Sequence, residues 1–365
     1  MKIEKIKVVE ALAKVKDPLS GQDLVSMNRV RDLEINGEDV NFTLEFPSPN
    51  FEGKADINFA CMAAIQELYP SANVNVHFMG LNQGAPKPQD QLAHVRNIIA
   101  VASGKGGVGK STMAVNLALG LKELGARVGL IDADLYGPSI PTMLGLQGQR
   151  PKVQELYGKH KILPLEAYGI PVMSIGFIIE PEQAVVLRGP RLGAIVKQFF
   201  NDVVWPELDY LIVDLPPGTG DIQLTLVQTV SVTGAVIVTT PQQVAMVDAI
   251  KAMNMFLLPS VNVPILGVVE NMSWFSPAEL PDNKYYIFGQ GGGKDLVKQS
   301  NSVLLGQIPL VQGIREGGDG GKPAILSETD EVSSAALLEM AKETARQVAL
   351  RNESLAPTQI VDIKL

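Results

Sequence analysis

The sequence predicts an α/β fold, a mostly parallel sheet preceded by a small α+β domain, and three features predict it. From about residue 95, near-continuous apolar runs alternate with helical patterns, at 98–102, 128–131, 210–213, 235–239, 265–269 and 303–308. Such runs are the signature of strands buried on both faces, with helices as crossovers. Most of them end in polar or glycine-bearing residues, at the carboxyl edge where open α/β sheets bind ligands. Before residue 82 the pattern is different, a hairpin built around Asn36-Gly37, the strongest short-range hairpin signal.

In chain order, residues 1–82 read as the small α+β domain. A helix is expected at 3–15, a turn at Asp17-Pro18-Leu19-Ser20-Gly21, strands at 30–35 and 40–46, a helix at 56–68 and a closing strand at 73–78. Cys61 falls in the second helix among Phe59, Ala60, Met62 and Ala63, where a free cysteine behaves as a small core hydrophobe; it is a weak candidate for a metal ligand. Residues 83–94 read as a linker rich in Pro, Gly and Gln, which leaves the domains free to move relative to each other. The larger domain spans 95–350, and 351–365 forms a tail.

The first apolar run of the larger domain stops at Gly104-Lys105-Gly106-Gly107-Val108-Gly109-Lys110-Ser111-Thr112 and a helical pattern follows at 113–124. Gly104, Gly109, Lys110 and Ser111 satisfy G-x-x-x-x-G-K-[ST] in its required strand-to-helix context. Such a P-loop cradles a nucleotide's phosphates with backbone N–H groups at a helix N-terminus. Lys110 is expected at the β/γ-phosphates and Ser111 on Mg²⁺.

The later strand ends carry the rest of the candidate chemistry. The second run ends at Asp132-Ala133-Asp134, where two carboxylates cannot both face apolar core. The third ends at Asp214-Leu-Pro-Pro-Gly-Thr-Gly-Asp221, a Walker B arrangement whose Asp214 meets Mg²⁺ and whose Gly218 can offer its N–H to the γ-phosphate. The fifth ends at Glu270-Asn271-Met272-Ser273, and the Asn271 amide, donor and acceptor at once, suits an adenine edge. The glycine run 317–321 either closes over the nucleotide or joins two elements.

Composition bounds the partners. Of 365 residues 46% are hydrophobic and 19% charged, an ordinary globular balance, and the net charge of −8 argues against a nucleic-acid surface. No apolar run reaches the roughly 20 residues of a membrane helix, and residues 1–7 lack a signal-peptide core. The expected compartment is the cytoplasm. A single cysteine excludes an intramolecular disulfide and an all-cysteine metal site within one chain.

The second loop lysine, Lys105, resembles the deviant P-loop of the MinD, ParA and nitrogenase iron protein group. That resemblance implies a nucleotide-sandwiched homodimer in which Lys105 reaches the partner's phosphates as an arginine finger would. It also implies that Asp134 is the switch aspartate positioning the attacking water, with Asp132 as the alternative, and that Asn271 selects the base.

More closely, residues 95 to about 345 resemble the Mrp/ApbC family of iron–sulfur cluster carrier ATPases. The matching stretches are 101–112, 131–139, Arg188-Gly-Pro190, 208–221, Thr240-Pro-Gln242 and 267–273. Residues 1–82 resemble the PaaD/SufT-like domain through Asp17, Pro18, Gly21, Leu24 and Val25, with Phe46-Pro-Ser-Pro-Asn50 where that family often carries a reactive cysteine. The resemblance implies ATP and Mg²⁺ as cofactors, an iron–sulfur cluster as cargo, and client or scaffold proteins as partners. This chain departs from the family at 274–286, where a C-x-x-C pair is usual and neither cysteine nor histidine occurs. Two further readings therefore stand beside the carrier: an ATP-dependent assembly chaperone that holds no cluster, and a MinD/ParA-like positioning ATPase. The latter is disfavoured by a weakly basic tail and the acidic balance, so neither membrane nor nucleic acid is an expected partner.

Overall fold

The structure, a computed structural model, describes residues 3–361 apart from 18–19, 47, 49–50, 52, 81–91, 93, 136, 157, 179–188, 278, 281 and 329. Most of the expected linker, Pro18, Leu19, Arg188, the loop residues Pro47, Pro49 and Asn50, and the last four residues of the tail lie outside the described residues.

The small domain runs α1 (Lys5–Leu12), β1 (Val30–Asn36), β2 (Asp39–Phe46), α2 (Lys54–Leu68) and β3 (Asn73–Gly80). Strands β1 and β2 pair antiparallel across the Asn36-Gly37 turn, where Gly37 takes φ +66°, and β3 joins β2 in parallel. Val8, Leu12, Val40, Phe42, Leu44, Ile57, Cys61 and Ile65 form its core, all at or below 1% exposure. Burial of that much aliphatic and aromatic surface is what holds so small a unit together.

The larger domain continues with β4 (Val95–Ala102), α3 (Lys110–Glu123), β5 (Val128–Asp132), α4 (Ile140–Met143), β6 (Lys152–Leu156), β7 (Lys159–Leu163), β8 (Leu165–Ala167), β9 (Ile170–Ser174) and α5 (Gly189–Asn201). It then runs β10 (Leu208–Asp214), α6 (Asp221–Thr229), β11 (Gly234–Thr239), α7 (Gln243–Leu257), β12 (Ile265–Glu270), α8 (Gly292–Ser300), β13 (Leu304–Gln307), α9 (Gln312–Asp319) and α10 (Glu331–Ser354). Eight strands form one sheet in the order β13-β12-β11-β4-β10-β5-β9-β8, parallel except for the β8–β9 pair. Every residue of β5, β10 and β11 is buried, as two covered faces require. Helices α3 and α10 approach so closely at Gly120 that a Cβ there would lie 2.7 Å from that of Ala341.

The sheet is two strands wider than the apolar runs predict. Strands β8 and β9 are short, joined at Tyr168-Gly169 and interrupted by Pro171, so neither stands out as a run. The hairpin β6–β7 was also not foreseen; it is largely exposed and lacks an apolar face.

The expected end of the larger domain at 350 falls inside α10, which continues without a break to Ser354. Its last turns face the small domain. Ala349 and Leu350 pack on that domain's core, the Glu353 carboxylate accepts the Leu33 N–H at 3.1 Å, and Arg96 of β4 lies 2.6 Å from Glu45 of β2. The two domains meet through α10 and β4.

Candidate nucleotide site

The P-loop leaves β4 at the centre of the sheet and enters α3. Gly104 passes against α7 so tightly that a Cβ would sit 1.9 Å from the Asp248 carbonyl carbon, which only glycine avoids. Gly109, at φ +84°, caps α3, and a Cβ there would meet the Asn271 amide nitrogen at 2.2 Å. The Asn271 Nδ2 donates to the Val108 carbonyl at 2.9 Å, tying the end of β12 to the loop.

Two strand ends, of β10 and β5, converge on Lys110, whose side chain is 6% exposed. Its Nζ lies 2.6 Å from Asp214 Oδ1 and 3.3 Å from Asp134 Oδ2, and it donates to Ser111 Oγ at 3.2 Å. A buried cation between two carboxylates keeps both aspartates at the phosphate loop. Asp214 is fully buried and its Oδ2 makes no hydrogen bond among the described residues; burial raises its carboxyl above the ordinary range, opposed by Lys110. A buried carboxylate oxygen without a partner, adjoining the Ser111 turn, fits a hard divalent cation such as Mg²⁺.

Asp132 does not reach the cleft. It is fully buried, accepts from Ser174 Oγ at 2.8 Å and from the Asp134 N–H at 3.1 Å, and is pushed up to about 8 by burial and then by the Asp214 charge. Asp134, not Asp132, lines the cleft of about 240 Å³ with Lys105, Gly107, Thr112 and Pro217. Lys105 is exposed at its rim, with its carbonyl held by Ser103 Oγ at 3.0 Å.

Gly218, at φ +90°, donates its N–H to Ser103 O at 2.8 Å, back onto the P-loop strand. A second cavity of about 330 Å³, lined by Thr112, Asn271, Leu310, Ile314, Arg315 and Asp319, adjoins the loop on the other side. The sequence had offered Asn271 for a base but not the wall formed by β13's exit and α9. The glycine run 317–321 belongs to that wall at Gly318 and is pinned beyond it, where the Tyr168 hydroxyl donates to Gly321 O.

Cys61 lies in the small domain's core at 0% exposure, and burial pushes its thiol up to about 12. Among the described residues no group of three or more His, Cys, Asp or Glu could hold a metal ion. Where the family's cysteine pair is usual, Phe275 and Tyr285 exchange backbone hydrogen bonds and Lys284 sits 4.1 Å over the Trp274 ring. No helix among the described residues is long and apolar enough to cross a membrane. Native protein is accordingly expected to resist alkylation by iodoacetamide at pH 8, with one equivalent taken up only after unfolding in urea. Rapid labelling of the native chain would contradict this placement.

Comparison with known proteins follows the same division of the chain. The family model described as NUBPL iron-transfer P-loop NTPase matches residues 94–345, and the one described as iron-sulfur cluster assembly protein matches residues 5–78. The chain is 46% identical over 345 residues to an iron-sulfur cluster carrier protein of Synechocystis, covering 94% of this chain and 97% of that one. It is 44% identical over 355 residues to the carrier protein of Deinococcus radiodurans, covering 97% and 98%. Among solved structures, the nucleotide-binding protein of Archaeoglobus fulgidus in complex with ADP is 34% identical, with a TM-score of 0.57 over 67% of this chain and 95% of that one. The MinD protein of Pyrococcus horikoshii, at 21% identity and a TM-score of 0.50 over 68% and 94%, shares the fold. The doubly wound sheet, the two-lysine phosphate loop and these full-length matches agree: the chain belongs to the iron-transfer P-loop NTPase family of iron–sulfur cluster carrier proteins.

Proposed function

We propose that this chain is a Mg²⁺-dependent, slowly hydrolysing, homodimeric ATPase of the cytoplasm that serves the transfer of iron–sulfur clusters to apoproteins. The observation that carries it is the convergence of Asp134 and Asp214 on Lys110 beside an exposed second loop lysine, in a chain matching named cluster carriers along nearly its whole length.

In this reading the N–H groups of Gly104 to Thr112 hold the phosphates, and Lys110 exchanges its carboxylate partners for β/γ-phosphate oxygens. Ser111 and Asp214 hold Mg²⁺, which supplies charge neutralisation on the phosphates when bound. Asp134, released from Lys110, orients the attacking water, and Lys105 serves the partner subunit's nucleotide. Asn271 and the wall at Leu310 and Ile314 take the base. The N–H of Gly218 turns from Ser103 to the γ-phosphate, a small peptide rotation that couples the Walker B loop to nucleotide state.

The cargo is a separate matter, since soft thiolates are the usual ligands of a cluster and the only one here is enclosed. This observation favours a second reading, in which the cluster stays on thiolates of a client or scaffold and the ATPase drives the handover. Anaerobic reconstitution with iron and sulfide, in the wild type and in Cys61→Ala, separates the two. Equal, substoichiometric iron in both supports the handover reading, whereas a cluster lost only in the variant makes Cys61 a ligand. ATP-stimulated activation of an apoprotein by a pre-loaded scaffold tests the function itself; no stimulation would retire both readings.

A further inference from the structure

We propose that Ser174 is a positioning residue for ATP hydrolysis, acting through the Asp132 carboxylate to fix the backbone from which Asp134 reaches the phosphate cleft. The proposal rests on Asp134 being the residue that orients the attacking water. Ser174 stands 42 residues from Asp132 in sequence and ends β9, a strand that no apolar run announces.

The geometry is a relay of held groups across adjacent strand ends. Asp132 and Ser174 are register partners in the β5–β9 pair, and both are 0% exposed. The Ser174 hydroxyl donates to Asp132 Oδ2 at 2.8 Å and accepts the Gly176 N–H at 2.9 Å, so donor and acceptor roles are both committed. The other Asp132 oxygen accepts the Asp134 N–H at 3.1 Å, and the intervening Ala133 N–H donates to Asp214 O at 2.9 Å. Two successive N–H groups beyond β5 are therefore pinned, one to the Walker B strand and one to Asp132. The Asp134 carboxylate leaves that pinned backbone toward Lys110, at 3.3 Å.

The same strand end braces the switch segment further along. Gly176 comes so close to Pro138 and Pro141 that a Cβ there would be 3.1 Å from each, so the chain after Asp134 leans on the turn that Ser174 closes. Ser174 itself does not line the phosphate cleft or the neighbouring cavity. Removal of its hydroxyl leaves a buried carboxylate oxygen without a donor and the Gly176 N–H without an acceptor, and buried groups so stranded reorganise. The displacement passes to the Asp134 N–H. A misplacement of about 1 Å at a reacting group costs on the order of 100-fold in rate, while the loop that binds nucleotide is untouched.

The test compares Ser174→Thr with Ser174→Val in the full-length protein. These side chains have nearly the same shape and differ in the hydroxyl, so packing damage is common to both. Steady-state ATPase and the affinity for a fluorescent ADP analogue are measured for each, alone and combined with Asp134→Ala. The threonine variant should keep kcat within about threefold of wild type, and the valine variant should lose about 10- to 100-fold, with nucleotide affinity within about twofold in both. In the Asp134→Ala background the two should become indistinguishable, because the group they position is gone.

Equal kcat for threonine and valine would overturn the proposal, as would a parallel fall of kcat and affinity in valine alone. Where β-branching itself prevents folding, Ser174→Ala against the wild type, each with and without Asp134→Ala, tests the same loss of the hydroxyl. Asp134→Ala alone distinguishes the levels. If it turns over normally, the reading of Asp134 fails and this proposal with it. If it is inactive while threonine and valine match, only the role of Ser174 fails.

Discussion

Replacing Lys105 by alanine is expected to lower ATP turnover by about 1,000-fold, the low end of what a finger supplied in trans contributes, while nucleotide affinity changes little. The structure separates the two loop lysines by environment. Lys110 is enclosed and tied to Asp134, Asp214 and Ser111, so it answers to its own subunit's phosphates. Lys105 is exposed at the rim, and its ammonium makes no ion pair among the described residues. A cation left free at the mouth of a phosphate cleft costs the fold nothing to redirect toward charge that develops elsewhere.

A mixing experiment checks direction as well as size. Lys105→Ala and Asp134→Ala subunits, each inactive alone, should regain about a quarter of wild-type turnover at equal amounts, since half the dimers of a symmetric pair are then mixed and each mixed dimer has one complete site. Action in cis predicts no recovery, and normal turnover in Lys105→Ala would remove the finger altogether.

Much of this site was legible because its chemistry is local. Gly104 to Thr112 is one contiguous segment, and Asp134, Asp214 and Asn271 each follow an apolar run, so strand ends could be recognised without knowing which strands are neighbours. The parallel sheet puts those ends on one edge, and the order β12-β11-β4-β10-β5 brings them to the loop. What could not be read is what depends on pairing. The Ser174 hydroxyl acquires its place only when β9 registers against β5, and Pro171 interrupts β9 so that no apolar run signals it. Asp132 stands as the alternative to Asp134 in the sequence, and strand-end geometry turns the Asp132 carboxylate into the sheet and the Asp134 carboxylate into the cleft.

The domain junction was illegible for a related reason. Arg96, Glu45, Glu353 and Leu33 come from four separate elements, and nothing in their local context marks them as partners. Linker composition speaks only for mobility, and the contact between the domains runs along the face of α10 that Ala349, Leu350 and Glu353 share.

Lys110→Ala is expected to abolish nucleotide binding and also to cost the nucleotide-free protein about 3–5 kcal/mol, the penalty for leaving buried carboxylates without their cation. The penalty should grow with pH. Asp132 is raised from 3.8 to about 8 and Asp214 is raised as well, burial being the first cause in both. A carboxyl whose folded value exceeds its unfolded one contributes stability that is full below about pH 4 and is lost as pH rises through the folded value, near 8 for Asp132. Magnesium-free wild type should therefore be less stable at pH 9 than at pH 6. Lys110 lowers both carboxyls, so its removal should steepen that loss. Urea unfolding in EDTA at the two pH values measures both slopes, and equal slopes would contradict this electrostatic account. A double variant, Lys110→Met with Asp214→Asn, separates folding from chemistry: removal of a buried cation and anion together should restore much of the stability while nucleotide binding stays lost. Recovery of both would mean that the phosphate loop works without its lysine, and recovery of neither would mean that Asp134 and Asp132, rather than Asp214, carry the penalty.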